Sequence, residues 1–188
     1  MTTHRIIVSG FGGQGVMGIG QMLTYAGMMD GHHVSWLPSY GPEMRGGAAN
    51  CSVIISDEPI GAPNISTATT VIALNGPSYD KFEDAVMENG EIFINSSLIN
   101  REAKRDDLKV YKLKANDWAI ELGNPKAMNV MIFGIFNTIH KVVSEDAMKQ
   151  AVEKIYGRKG EEMLQVNFKA LEFGANKAKE IMGENANA

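Results

Sequence analysis

The chain has 188 residues, a formal net charge of -4 and 44% hydrophobic residues, which suits one domain with a sizeable core. The acidic balance and the lack of a basic stripe exclude a general nucleic-acid binder, and no apolar run approaches the length that spans a membrane. The one cysteine, Cys51, excludes an internal disulfide and an iron–sulfur cluster held by this chain alone.

Met1-Thr2-Thr3-His4-Arg5 runs straight into Ile6-Ile7-Val8 without the features of a signal peptide, so a cytoplasmic location is expected. His4 to Ser9 reads as a strand. Gly10-Phe11-Gly12-Gly13-Gln14-Gly15 is a glycine-rich turn. Val16 to Met29 follows as a helix, with Ile19, Met22, Leu23 and Ala26 spaced for one face. Gly31 closes that helix. His33 to Leu37 is a second strand and Ala48 to Ser56 a third, joined by the segment from Ser39 to Gly47.

Thr70 to Leu74 reads as a short apolar strand and Pro77 to Met87 as a helix with proline near its start. Asn89-Gly90 is expected to break that helix. Glu91 to Asn95 and Leu108 to Leu113 are further strands. Helices are expected over Asp117 to Leu122 and Pro125 to Val142. Another is expected from a cap at Ser144 to about Tyr156, and a last one over Glu161 to Met182. Residues 1–183 form a single domain in this reading, and 184–188 a frayed tail. The alternation predicts an α/β, Rossmann-like three-layer sandwich with a mainly parallel sheet and a helical C-terminal part. The spacer between Ile60 and Thr70 is too short for a crossover helix, so a hairpin or a change of strand direction near Ala48 to Ile55 fits the pattern.

Two segments carry the chemistry. Gly10-x-Gly12-x-x-Gly15 follows a strand and opens a helix, the setting in which glycines admit a phosphate to the backbone at a helix N-terminus. A nicotinamide or flavin site also wants an acid about twenty residues on, at the end of the second strand. Here that strand ends at Leu37-Pro38-Ser39, with no acid, which argues against free-standing NAD binding. The plain alternative is that these glycines only pack the helix on the sheet. Gln14 opens the helix as a polar side chain available to a ligand or a neighbouring subunit.

The second segment is Ser39-Tyr40-Gly41-Pro42-Glu43-Met44-Arg45-Gly46-Gly47. It combines exposed amides beside glycines with one guanidinium, a means of receiving an anion or a partner's acidic group. The plain alternative is a glycine-rich connection with Glu43 and Arg45 solvated. Both segments are expected at carboxyl ends of neighbouring strands, facing each other across one crevice. The histidines His4, His32, His33 and His140 show no ligand spacing, so no metal is predicted. Cys51 reads as a small buried residue, and most of the twelve methionines as core filler.

Ser9 to Val16, taken with Ser39 to Gly47, strongly resembles the gamma subunit of 2-oxoacid:ferredoxin oxidoreductases. The resemblance continues through Asn50 to Ser56, Ala73-Leu74-Asn75, Asn95-Ser96-Ser97 and the helix with Asn129 and Gly134. It implies a multisubunit enzyme that converts a 2-oxoacid to CO2 and an acyl-CoA while reducing ferredoxin. Alpha, beta and delta subunits would be the partners. Thiamine diphosphate, Mg2+ and iron–sulfur clusters would sit in those partners, since this chain lacks the Gly-Asp-Gly segment of thiamine enzymes. It also implies a place beside the thiamine site and a link to coenzyme A. Gly10, Gly12, Gly13, Gln14, Gly15, Ser39, Tyr40, Gly41, Glu43, Arg45, Gly46 and Gly47 are the candidate contact residues, and none is a candidate catalytic residue. The motifs look most like those of branched-chain 2-oxoacid enzymes such as those for 2-oxoisovalerate, with 2-oxoglutarate enzymes close behind. A stand-alone nucleotide- or CoA-binding module and a purely structural subunit remain open alternatives.

Overall fold

The computed structural model describes residues 2–39 and 48–186. β1 (Thr3–Phe11) sends Ile6 and Val8 to one face and Ile7 to the other, the alternation of a strand covered on both sides. α1 (Val16–Met29) buries Val16, Ile19, Met22, Leu23 and Ala26. β2 (His33–Ser39) and β3 (Ala48–Ser56) follow. β4 (Ala68–Ala73), α2 (Gly76–Phe82), β5 (Val86–Asn95) and β6 (Lys109–Leu113) complete the sheet region. The C-terminal part holds α3 (Ala115–Glu121), α4 (Met128–His140), α5 (Glu145–Tyr156) and α6 (Glu161–Ala186). Among the described residues no helix is long and apolar enough to cross a membrane.

The six strands form one sheet in the order β2-β3-β1-β4-β5-β6. β1, β4, β5 and β6 run parallel. β3 is antiparallel to both of its neighbours, which is the change of direction that the short spacer after Ile60 requires. β2 is therefore an edge strand, and it accommodates Pro38 because an edge does not need every ladder donor.

Two apolar layers cover the sheet. One face carries α1 and the C-terminal helices, around Val8, Ile55, Ile72, Phe93 and the middle of α4. The other face packs Ile7, Val71, Ile92 and Ile94 on Tyr79 of α2, with Ile99 and Leu108. α4 is enclosed on all sides, with every residue from Met128 to Asn137 buried, mostly apolar but including Asn129 and Asn137. Its crossing with α6 is close. A Cβ on Gly134 would stand 2.6 Å from the Leu171 carbonyl oxygen, and one on Gly174 would overlap the Met131 carbonyl oxygen.

Several boundaries differ from expectation: β1 extends to Phe11 and α6 runs to Ala186 rather than Met182, and the differences at α2 and α4 are larger in consequence. α2 stops at Phe82, and a single 3-10 turn, Glu83–Ala85, leads into a strand that starts at Val86. The cause is tertiary. The Glu83 carboxylate is 1% exposed and takes the Arg101 guanidinium and the Lys104 amide. Arg105 then donates to the carbonyl oxygens of Val86 and Met87 and holds that stretch extended. Asn89, at a φ of 56°, falls inside β5 at a register shift rather than breaking a helix. The expected helix from Pro125 begins instead as a 3-10 turn, Pro125–Ala127, with the Asn124 side chain accepting from the Lys126 amide. It ends at His140, where Lys141 adopts a φ of 51°.

Candidate functional site

The parallel strands end along one edge, and the glycine turn is there. Gly13 and Gly15 have φ of 91° and 82°, conformations that favour glycine. Gly15 precedes α1, and its missing Cβ makes room for Asn129 of α4, whose Cβ would lie 2.5 Å away. Gly18 gives way to the same side chain, at 2.5 Å from Nδ2. Asn129 is held there by a 2.9 Å bond from Nδ2 to the Tyr156 hydroxyl. A Cβ on Gly12 or Gly13 would meet nothing within 4 Å, so the space beside each of these glycines is open.

Gln14 does not reach outward. Its Oε1 accepts from the Phe11 amide at 2.6 Å, and its Nε2 donates to the Leu74 carbonyl oxygen at 3.2 Å. The Asn75 side chain donates from Nδ2 to the same Oε1 at 3.5 Å. A Cβ on Gly10 would stand 2.7 Å from that Oε1 and 2.9 Å from the Leu74 Cβ. The first glycine of the motif thus admits the Gln14 side chain.

The asparagines of the motif segments extend this network. Asn75 caps α2, with Oδ1 accepting from the Ser78 amide at 2.8 Å. Asn95 donates from Nδ2 to the Leu74 carbonyl oxygen at 3.2 Å and to Asn116 at 2.7 Å. Ser9 donates to Ser78 at 2.8 Å. Ser97 and Asp117 pair at 3.0 Å further along the edge. The ends of β1, β4 and β5 are thereby fastened together by uncharged groups, with the charged Asp117 at the exposed rim. The sequence marks these residues only as polar positions at strand ends. Nothing local in it joins residue 129 to residue 15.

A shallow depression of about 290 Å³ lies on the other flank of the turn, lined by Phe11, Gly12, Gly13, Met17, Gly18 and Ala49 among others. Its described walls are apolar or backbone, so any anion there meets amides and the α1 dipole end rather than a fixed cation. β1 and β2 both end at this edge, yet they are not neighbours: β3 runs between them, with Asn50 opposite both Ser9 and Ser39. Ser39 is the exposed last residue of β2. Tyr40, Gly41, Glu43, Arg45, Gly46 and Gly47 lie outside the described residues. Their segment rejoins the sheet at Ala48, which pairs with Phe11 beside the glycine turn.

Cys51 is buried under α1, with Sγ 3.7 Å from the Val16 carbonyl oxygen. Burial pushes its thiol up to about 11, which keeps it protonated and inert at neutral pH. Among the described residues no group of three or more His, Cys, Asp or Glu is placed to hold a metal ion.

Residues 5–177 match the family described as pyruvate ferredoxin/flavodoxin oxidoreductase. The chain is 34% identical over 182 residues to the ketoisovalerate oxidoreductase subunit VorA of Methanothermobacter marburgensis, covering 96% of this chain and 38% of that protein. It is 32% identical over 151 residues to the 2-oxoglutarate synthase subunit KorC of Methanocaldococcus jannaschii, covering 79% of this chain and 81% of that one. A solved keto/oxoacid ferredoxin oxidoreductase gamma subunit from Geobacter sulfurreducens superposes with a TM-score of 0.80 at 28% identity, covering 94% and 99% of the two chains. The 2-oxoglutarate:ferredoxin oxidoreductase of Magnetococcus marinus, solved with 2-oxoglutarate, coenzyme A and succinyl-CoA, shares the fold at a TM-score of 0.87 and 23% identity, over 96% of this chain and 32% of that one.

Proposed function

We propose a function from the premise that this chain belongs to the pyruvate ferredoxin/flavodoxin oxidoreductase family. It acts as the gamma subunit of a multisubunit 2-oxoacid:ferredoxin oxidoreductase. The assembled enzyme decarboxylates a 2-oxoacid oxidatively to an acyl-CoA and CO2 and passes the electrons to ferredoxin. The observation that supports this reading is the match to separate subunits along most of their own length, 81% of KorC and 99% of the Geobacter sulfurreducens gamma subunit; VorA is longer, and the chain spans only 38% of it. Alpha, beta and delta subunits carry the rest of the machinery in this reading.

Thiamine diphosphate, Mg2+ and iron–sulfur clusters reside in those alpha, beta and delta partners, and the complex works in the cytoplasm. Thiamine supplies the carbanion chemistry there. This chain runs no step alone. It contributes the open backbone of Gly12 and Gly13 beside α1, and the segment from Tyr40 to Gly47, to the place where coenzyme A enters. The branched-chain substrate, 2-oxoisovalerate, is favoured over 2-oxoglutarate by the match to VorA along nearly the whole chain, against 79% for KorC.

An anaerobic pull-down of the tagged chain from its native source tests the proposal. Co-purification of thiamine- and cluster-bearing subunits, with turnover on a panel of 2-oxoacids, is the expected result. Recovery of a lone chain that binds CoA or ADP in calorimetry would instead favour a stand-alone binding module. In the assembled enzyme Arg45→Ala should impair turnover without changing the melting of the free chain. Unaltered CoA dependence in that variant would remove Arg45 from the site.

A further inference from the structure

In an open α/β sheet, ligands enter where two adjacent parallel strands send their following helices to opposite faces. β1 and β4 are that pair here, adjacent and parallel, with α1 on one apolar layer and α2 on the other. The crevice between their ends is bounded by Gly10 to Gln14 on one side and by Leu74 and Asn75 on the other. Gln14 bonds to both sides of it, through the Phe11 amide and the Leu74 carbonyl oxygen. Gly10 lacks the Cβ that would displace it.

We propose that Gln14 is a positioning residue that locks the glycine turn and closes the crevice between β1 and β4 from within. The carboxamide takes up the Phe11 donor and the Leu74 acceptor that a bound nucleotide would otherwise meet. Ligand or partner groups then reach Gly12 and Gly13 from the opposite flank, over the depression bordered by Phe11, Met17 and Ala49. This explains in one step why the chain has a dinucleotide-like glycine motif and no acid to hold a ribose. The lock itself rests on the geometry; its link to coenzyme A rests on the function proposed above.

The test compares Gln14→Met, which keeps length but loses both bonds, with Gln14→Glu, which keeps only the acceptor for the Phe11 amide. In the purified chain, hydrogen exchange at the Phe11 amide should accelerate about tenfold in Gln14→Met and less in Gln14→Glu, with Ile6 to Val8 unchanged. In the assembled enzyme, KM for CoA should rise in the same order and by more than KM for the 2-oxoacid. Unchanged protection of Phe11 in Gln14→Met would overturn the lock. Equal rises in both KM values would reduce Gln14 to a structural role and overturn positioning. Lost protection with an unaltered KM for CoA would leave the lock standing and sink the assignment of this turn to CoA.

Discussion

His140 ends α4 in an aromatic box, with the rings of Phe93, Tyr111 and Phe136 centred 5.6, 6.4 and 4.7 Å away. Its Nε2 stands 3.1 Å from the Glu91 carboxylate. Burial holds this imidazole below its ordinary value of 6.5; Glu91 pulls it back up, while His4 and Lys109 push it further down. His4, also lowered by burial, acts in the same direction. The unfolded chain then takes up protons that the folded chain refuses, so stability is full above about pH 6.5 and declines as pH falls from there towards the folded value. Urea midpoints measured from about pH 8 to about pH 5 should fall, with a shallower fall in His140→Gln. Equal slopes would place the effect elsewhere. Cys51 makes a second residue-scale prediction. Iodoacetamide should leave the native thiol unlabelled at neutral pH and react once the chain is unfolded, because burial withholds the thiolate.

The α4–α6 crossing depends on two glycines that let backbone meet backbone. Gly174→Ala should cost about 3 kcal/mol in urea unfolding, since the methyl group meets a carbonyl rather than a yielding side chain. Gly183→Ala, in the same helix with open space around the new carbon, should be neutral or stabilise by up to about 1 kcal/mol. α5 offers a milder case. Ser144 caps it through the Ala147 amide and also bonds Asp30 at the end of α1. Ser144→Ala should lower stability by about 1–2 kcal/mol. Elements with a strong local pattern were legible: α1 and β3 lie where periodicity and turn glycines put them. The α2–β5 boundary was not, because Glu83, Arg101 and Arg105 settle it from about twenty positions apart. In the site, Gly12 and Gly13 could be read as open backbone. Gln14 could not be read as an inward side chain, because its Leu74 and Asn75 partners come from another strand end.

At the scale of the whole molecule, β3 separates the two strands that deliver the glycine turn and the Ser39 stem. The sequence allowed the reversal of direction but not the strand order, since either side of β1 satisfies the same alternation. The order fixes both stems of the 40–47 segment to the sheet, Ser39 opposite Asn50 and Ala48 opposite Phe11. Replacing residues 40–47 by an equally long Gly/Ser linker should therefore leave the unfolding midpoint of the free chain nearly unchanged, because closing a short loop between fixed stems varies little in cost. The same replacement should abolish turnover of the assembled enzyme. A large loss of stability would show that the segment helps hold the sheet together. Stems clamped in register also make the segment a cassette. Exchange of its eight residues between homologues is then expected to leave the stability of the scaffold unchanged, so that, on the function proposed above, a lineage retunes recognition here while inheriting the rest of the chain intact.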